Sequence, residues 1–526
     1  MTISPRRAAL AALAAVAGVA LASCTVPTAG VAMAATATSG HAPPELDRYY
    51  TQQLAWGPCT PFAGNDADRA AFAAPGLDCA TLTVPLDYSQ PDGRVAEIAV
   101  LRHRTTAAAG RVGSLVVNPG GPGGSGIELA AQFGAAQQDG PFDVVGFDPR
   151  GVGASTPAID CMTDKEIDAQ RAETDVDVSP AAVARLDEEN RRAAALCVER
   201  SGGADVIAHS DTRDVARDMD VLRAALGEQK LTYLGYSYGT RIGSSYAELF
   251  PGNVRAMVLD GAIDPTQSAL DSAVAQMQGF QKAFEAFAAD CAGKPGCPLP
   301  GDPAGATAAY QALVRPLIEK PAPVRDSDRT LSYSDAVTAT IAALYNPAAW
   351  PKLTAGLTEL RAGDGTTLMT LADAYYGRTA QGAYGNSQEA LMVVNCADGA
   401  RVDDPEVTAE TARKVNEVAP FQDSGIEIPA TRNVCSYLPV EPVTPHLPKV
   451  DGLPQTLVVS TTGDPSTPYQ AGVSLARALD ARLLTFEGTQ HTIALQGNRC
   501  VDTIVGNYLV NLSLPPADPR CTAGTS

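Results

Sequence analysis

One stretch of the chain brackets a serine with glycines at the spacing a strained turn needs: Gly235-Tyr236-Ser237-Tyr238-Gly239. It follows the apolar run 231–234 and precedes a helical pattern over 241–250, so it reads as strand, turn, helix. In that setting G-x-S-x-G raises the serine hydroxyl over the end of a sheet as a nucleophile. A serine hydroxyl needs a base at neutral pH, and there are five histidines to supply it. His41 falls in the N-terminal tail, and His103 stands between two arginines at a strand end. His209 precedes the serine, and His446 lies among prolines. His491 is left, in a loop after the last expected strand, where a mobile imidazole can reach Ser237. The carboxylate that orients such a base should fall between serine and histidine in chain order. Asp464, in Gly463-Asp464-Pro465-Ser466-Thr467-Pro468 just after the run 456–460, takes that role because its loop is the penultimate one; Asp260, ending an earlier run, is the alternative.

Acyl transfer also needs donors for a developing oxyanion. Asn118-Pro119-Gly120-Gly121-Pro122-Gly123-Gly124-Ser125-Gly126 follows the run 114–117, and its glycines let backbone N–H groups approach a ligand closely. The expected donors are the amides of Gly121 and Tyr238. The loop is not read as a phosphate cradle, because neither G-x-x-x-x-G-K-[ST] nor a helix-opening G-x-G-x-x-G is present.

The elements that must hold these residues are strand-like runs at 82–86, 96–102, 114–118, 142–148, 231–235, 256–260, 456–460 and 482–486. Several are unbroken apolar runs ending in glycine-rich turns, as parallel strands buried on both faces require. Between them lies a helix over 211–226, with Val215, Met219, Leu222 and Leu226 on one face, Ser210 or Asp211 as N-cap and Gly227 as its stop. From 265 to about 454 the pattern turns to alanine-rich helices such as 273–291 and 306–315. The expected organisation is therefore α/β, with a core over 46–265 and 454–526 and a helical lid over 266–453. A chain of 526 residues, 45% hydrophobic, buries a core of that size. Its net charge of −20, with no run of lysine or arginine beyond the first residues, argues against nucleic acid as a partner.

Arg6 and Arg7 precede an apolar run over 8–22, the pattern of an export signal over 1–23. Leu21-Ala22-Ser23-Cys24 resembles a lipobox, with a flexible tether over 24–45 and the membrane reached only through lipid on Cys24; cleavage near Ala32-Met33-Ala34 is the alternative. Removing Cys24 from eleven cysteines leaves an even ten, as an oxidising compartment favours. Pairing sequential neighbours gives 59–79, 161–197, 291–297, 396–435 and 500–521. Zinc is not expected, because no C-x-x-C exists and Cys291 and Cys297 have no histidine nearby.

The Val117–Gly126 segment, Gly146-Phe147-Asp148-Pro149-Arg150-Gly151, Leu234–Thr240 and Gly463–Pro468 together resemble the secreted tripeptidyl aminopeptidases of actinobacteria. These are α/β-hydrolases related to proline iminopeptidases, and the chain is also similar to mycobacterial cell-envelope serine hydrolases. The resemblance runs from about residue 56 to 521. Asn118-Pro119 departs from the His-Gly of proline iminopeptidases, so proline specificity is not carried over. The resemblance implies an α/β-hydrolase fold with a mostly parallel sheet and an inserted lid, acyl-enzyme chemistry without a cofactor, and a peptide substrate, with an ester as the alternative. Asp148 and Arg150 are expected to be structural. An enzyme that removes three residues must hold a free α-ammonium about 10 Å from its nucleophile, by a carboxylate in a partly desolvated pocket. Asp398, in a loop stiffened by a 396–435 bridge, is the expected group, and Glu128, just past the glycine-rich loop, is the alternative.

Overall fold

The computed structural model describes residues 44–107, 110–173, 177–441 and 450–524. The expected export signal, Cys24, nearly all of the tether, His41 and His446 lie outside the described residues. The apolar runs become strands: β1 (Leu77–Pro85), β2 (Val95–His103), β3 (Gly113–Asn118), β4 (Phe142–Phe147), β5 (Leu231–Tyr236), β6 (Val254–Asp260), β7 (Leu457–Thr461) and β8 (Arg482–Glu487). A ninth, β9 (Arg520–Thr522), was not expected; it is too short for a periodic pattern and pairs with β8 beside the Cys500–Cys521 bridge. The nine form one sheet in the order β1-β2-β4-β3-β5-β6-β7-β8-β9. β1 and β2 run antiparallel at one edge, and every pair from β4 to β9 is parallel.

Every residue of β3, β4, β5 and β7 is buried, which is why these strands read as apolar runs without alternation. Successive residues still point to opposite faces. Val116, Tyr233, Met257 and Val458 pack into one hydrophobic cluster, and Val117, Leu234, Val258 and Val459 into another. Register decides which strand ends meet. Asn118 pairs with Gly235, Tyr236 with Asp260, Asp260 with Val459, and Thr461 with Phe486. The carboxyl ends of β3, β5, β6, β7 and β8 thus reach one level, where open α/β sheets bind their ligands.

The helices that matter to that edge are α1 (Gly126–Ala136), α2 (Thr212–Ala225) and α3 (Gly239–Leu249). α2 starts as the pattern requires: Asp211 caps it by accepting from the amides of Arg213 and Asp214, a contribution of about 1 kcal/mol. Between β4 and α2 stand helices Asp164–Ala172, Pro180–Arg200 and Ala204–Ala208, which the apolar pattern did not mark because few of their residues are buried. Between β6 and β7 come α4 (Ala269–Ala292), Pro303–Val314, α5 (Tyr333–Leu344), Trp350–Arg361, Thr366–Tyr376, α6 (Ser387–Asp398) and Pro405–Val418. Much of this block has its own core, where Phe284 stacks on Phe421 with ring centroids 5.3 Å apart and meets Tyr310 at 5.1 Å.

All ten cysteines from Cys59 onward pair with their sequential neighbours, as expected: 59–79, 161–197, 291–297, 396–435 and 500–521. Among the described residues no group of three or more His, Cys, Asp or Glu side chains could hold a metal ion, and no helix is long and apolar enough to cross a membrane.

Candidate active site

Ser237 stands in the turn between β5 and α3 with a φ of +53°, a left-handed conformation that costs an L-residue roughly 1–3 kcal/mol. The flanking glycines leave room for the turn. A Cβ on Gly235 would lie 2.5 Å from the Gly239 carbonyl oxygen, and one on Gly239 would lie 2.9 Å from Asn118 Oδ1. Hydrogen bonds then hold it. The Ser237 amide donates to the Asp260 carbonyl at 2.9 Å, and the Ser237 carbonyl accepts from the Thr240 amide at 2.8 Å and the Thr240 hydroxyl at 2.6 Å. The serine side chain is left half-exposed at the N-terminus of a helix, where the field favours negative charge.

His491 and Asp464 are brought together as expected. His491 Nδ1 lies 2.9 Å from both carboxylate oxygens of Asp464. Asp464 is itself held by the amides of Ser466 and Thr467, at 2.9 and 2.8 Å, and by the Thr467 hydroxyl at 3.0 Å. Burial alone would lower the imidazole pKa; the charge and hydrogen bond of Asp464, with a further contribution from Asp260, outweigh it and hold the ring above its ordinary 6.5. With Nδ1 given to the carboxylate, the opposite nitrogen Nε2 is left as the acceptor. It is buried and has no partner among the described residues, Ser237 Oγ included. Catalytic bonds of this type often close only when substrate binds. The ring stands beside β6: a Cβ on Gly261 would lie 3.0 Å from His491 Cε1, one residue past the carbonyl that holds the Ser237 amide.

Asp260, the alternative orienting acid, does not bond the imidazole. Its Oδ2 accepts from the amides of Ile493 and Ala494 at 2.6 and 2.7 Å, so it clamps the loop that carries His491. Oδ1 is buried without a partner, and desolvation pushes the carboxyl up to about 6 even against the two amides.

The glycine-rich loop packs directly on the elbow. A Cβ on Gly120 would lie 2.5 Å from the Tyr236 carbonyl oxygen and 2.8 Å from both Ser237 Cβ and the Tyr238 amide nitrogen. Gly120, the residue before Gly121, thus packs against the Tyr238 amide nitrogen. Neither the Tyr238 amide nor that of Gly121 donates to a protein acceptor among the described residues. Asp148 fixes the far end of the loop, accepting from the Ser125 hydroxyl and the amides of Ile127 and Ala154. Arg150 is buried in a bidentate pair with Asp218. Both side chains are spent on protein partners.

The helical block touches the site on both sides. The Tyr345 carbonyl, just past α5, accepts the His491 amide at 2.9 Å, and its ring meets the imidazole edge-on with centroids 5.4 Å apart. At the other side, the N-terminus of α6 seats on the glycine-rich loop, where a Cβ on Gly123 would strike the Ser387 carbonyl.

Asp398 is the expectation the geometry corrects. It is the last residue of α6 and not part of a loop, it is 4% exposed, and it offers no free carboxylate. Oδ1 accepts the Thr212 amide at 2.8 Å, and Oδ2 accepts the Thr212 hydroxyl at 2.5 Å with Arg241 Nε at 3.4 Å. A carboxylate saturated by protein donors has little left for a substrate ammonium. Glu128, in contrast, is exposed in the first turn of α1 and bonds no protein group through its carboxylate among the described residues. Crowding around it still desolvates the carboxyl, and with Asp68 and Asp148 nearby its pKa is pushed up to about 7. Sequence reasoning gave no role to Thr212 or Tyr345, which carry no local signal. Asn118, at a strand end, was legible only by position; it holds the loop by accepting the Gly120 amide at 2.9 Å.

A family model described as the alpha/beta hydrolase fold matches residues 113–498. Among curated proteins, the serine protease Hip1 of Mycobacterium tuberculosis is 46% identical over 482 residues, covering 89% of this chain and 91% of that one. Carboxylesterase B of the same organism is 44% identical over 476 residues, covering 89% and 90%. A tripeptidyl aminopeptidase of Streptomyces coelicolor is 31% identical over 470 residues, covering 85% and 83%.

Proposed function

The chain belongs to the α/β-hydrolase family and is a serine hydrolase, and from that premise we propose that it is an aminopeptidase releasing tripeptides or short peptides from free N-termini. Ser237 Oγ attacks the scissile carbonyl while His491 Nε2 takes its proton, and Asp464 stabilises the imidazolium through Nδ1–H. The amides of Gly121 and Tyr238 bind the oxyanion. The imidazolium then gives its proton to the leaving amine, and water, activated by the same base, hydrolyses the acyl-enzyme. The observation that carries this reading is the 2.9 Å His491–Asp464 pair, whose outer nitrogen is buried without a partner among the described residues, together with a half-buried serine in a left-handed turn.

Two observations support peptide N-termini as substrate: the similarity to a tripeptidyl aminopeptidase, and the unpaired Glu128 carboxylate beyond the glycine-rich loop, suited to an α-ammonium. The helical block over 266–453 is read as a lid over this site. The second reading, a carboxylesterase, rests on the 44% identity to a protein of that name. The N-terminal pattern favours export with lipid on Cys24, and loss of metabolic lipid labelling in Cys24→Ala is its test.

The deciding experiment compares a free tripeptidyl substrate, its N-acetylated form and a small acetate ester. Wild type should cleave the free peptide far better than the acetylated one. Glu128→Gln should erase most of that preference without changing ester hydrolysis. A fluorophosphonate should label wild type and leave Ser237→Ala unlabelled. Equal cleavage of free and acetylated peptides would reject the aminopeptidase and leave the esterase or an endopeptidase.

A further inference from the structure

Asp398 is the far end of a buried chain of hydrogen bonds that begins on the residue after the elbow serine. The Tyr238 hydroxyl lies 2.5 Å from Thr212 Oγ1, which lies 2.5 Å from Asp398 Oδ2. Tyr238, Thr212 and Asp398 are 4%, 2% and 4% exposed. The direction of the protons follows from the chemistry of the groups. Asp398 Oδ2 faces the Thr212 hydroxyl and Arg241, both donors, so it accepts. Thr212 has one hydroxyl proton and spends it there, so its oxygen can only accept from Tyr238. The phenol is therefore a donor with one available acceptor. Arg241, on α3, also holds the Asp398 carbonyl through Nη2 at 3.1 Å, so the end of α6 is gripped by residues on both helices that flank the elbow.

We propose that Asp398, through Thr212, is a positioning residue for the oxyanion hole: it locks the Tyr238 side chain and thereby the aim of the Tyr238 amide. The inference rests on the reading of Ser237 as nucleophile and of the Tyr238 amide as an oxyanion donor. The peptide that carries this amide lies between the left-handed Ser237 and Tyr238, whose φ of −53° sets its far side. Its Ser237 side is fixed by the Asp260 and Thr240 bonds; the ring anchor fixes the other. In Asp398→Asn, an amide N–H replaces the acceptor facing Thr212. The Thr212 hydroxyl then faces a donor on each side, and one of the two hydroxyl protons, its own or that of Tyr238, is left buried without an acceptor.

The test uses the full mature chain with four variants, Tyr238→Phe, Thr212→Val, Thr212→Ser and Asp398→Asn. It measures kcat, KM, thermal midpoint and the affinity of a peptidyl trifluoromethyl ketone, whose tetrahedral adduct places an oxyanion in the hole. Tyr238→Phe, Thr212→Val and Asp398→Asn should each lower kcat by about 10- to 100-fold, below the loss seen when an oxyanion donor is removed outright. KM should change less than about twofold, and ketone affinity should fall by the same factor as kcat. Thr212→Ser should restore most of the activity, and the double variant Tyr238→Phe/Asp398→Asn should be no worse than the poorer single one. Wild-type kcat in Tyr238→Phe would overturn the proposal, as would losses confined to KM; Tyr238→Phe removes one oxygen and decides the matter alone if Asp398→Asn fails to fold. Ser237→Ala separates the two layers: if it stays active, the underlying reading fails. If it is inactive while the other variants match wild type, only the positioning role fails.

Discussion

Asp260 offers a test in which charge and geometry can be separated. Its Oδ2 accepts two loop amides, its Oδ1 has no partner, and desolvation raises the carboxyl from its ordinary 3.8 to about 6. At about 1.4 kcal/mol per tenfold change in proton affinity, the buried charge costs the folded state roughly 3 kcal/mol at pH 7. The sign follows from proton binding. The folded carboxyl keeps its proton to higher pH than the unfolded one, so this group's contribution is fully present below about pH 4 and is lost as pH rises through about 6. Asp260→Asn keeps a carbonyl oxygen for both amides and places its N–H groups where Oδ1 already lacked a partner. It should therefore gain up to about 3 kcal/mol over wild type at pH 7 and nothing near pH 4. With an unfolding entropy of about 1 kcal/mol per kelvin for a chain of this length, that is a rise of roughly 3 °C in Tm. Asp260→Ala leaves two buried amides unpaired, at about 1–3 kcal/mol each, and should melt about 2–6 °C below Asp260→Asn at either pH. Differential scanning calorimetry of the three proteins at pH 4 and pH 7 makes the comparison. A wild-type-to-Asn difference that is the same at both pH values would refute the buried-charge argument. Equal melting of Asn and Ala would refute the clamp.

Removing the Asp260 charge should also move the acidic limb of kcat/KM to lower pH in Asp260→Asn, because that charge helps raise His491. In wild type the base works neutral, so activity should fall as pH drops through an apparent pKa above 6.5; a limb well below 6.5 would contradict the His491–Asp464 coupling. Asp464→Asn should cost about 10⁴-fold in kcat, the scale set by losing the imidazole's orienting partner, with stopped-flow ester hydrolysis as the assay. Gly120→Ala would put a Cβ 2.5 Å from the Tyr236 carbonyl oxygen at a φ of +92°. It should abolish most turnover while leaving the remote disulfides formed, as non-reducing mass analysis can show.

Much of the machinery was legible because the relevant constraints are local. The turn at Ser237 needs small flanking residues wherever it sits, so Gly235 and Gly239 announce it. Strands buried on both faces must be apolar throughout; elimination among five histidines left His491, and the penultimate loop favoured Asp464 with Asp260 as the alternative. Sequential pairing of ten cysteines likewise needed no fold. Three-dimensional packing decided what sequence patterns cannot encode: which polar groups saturate which. Asp398 and Glu128 are equivalent carboxylates on paper. One is bonded by the amide and hydroxyl of Thr212, 186 residues away, and the other is left unpaired. Asp260 looked like a rival to Asp464 because one ends a strand and the other closely follows one, both between Ser237 and His491 in the chain. Register places its carboxylate against the amides of Ile493 and Ala494 and not against the ring of His491. The outcomes at Asp398 and Asp260 depend on long-range hydrogen bonds between elements that are not neighbours in sequence. No periodicity records such a bond, because its partners share only a place in the folded chain.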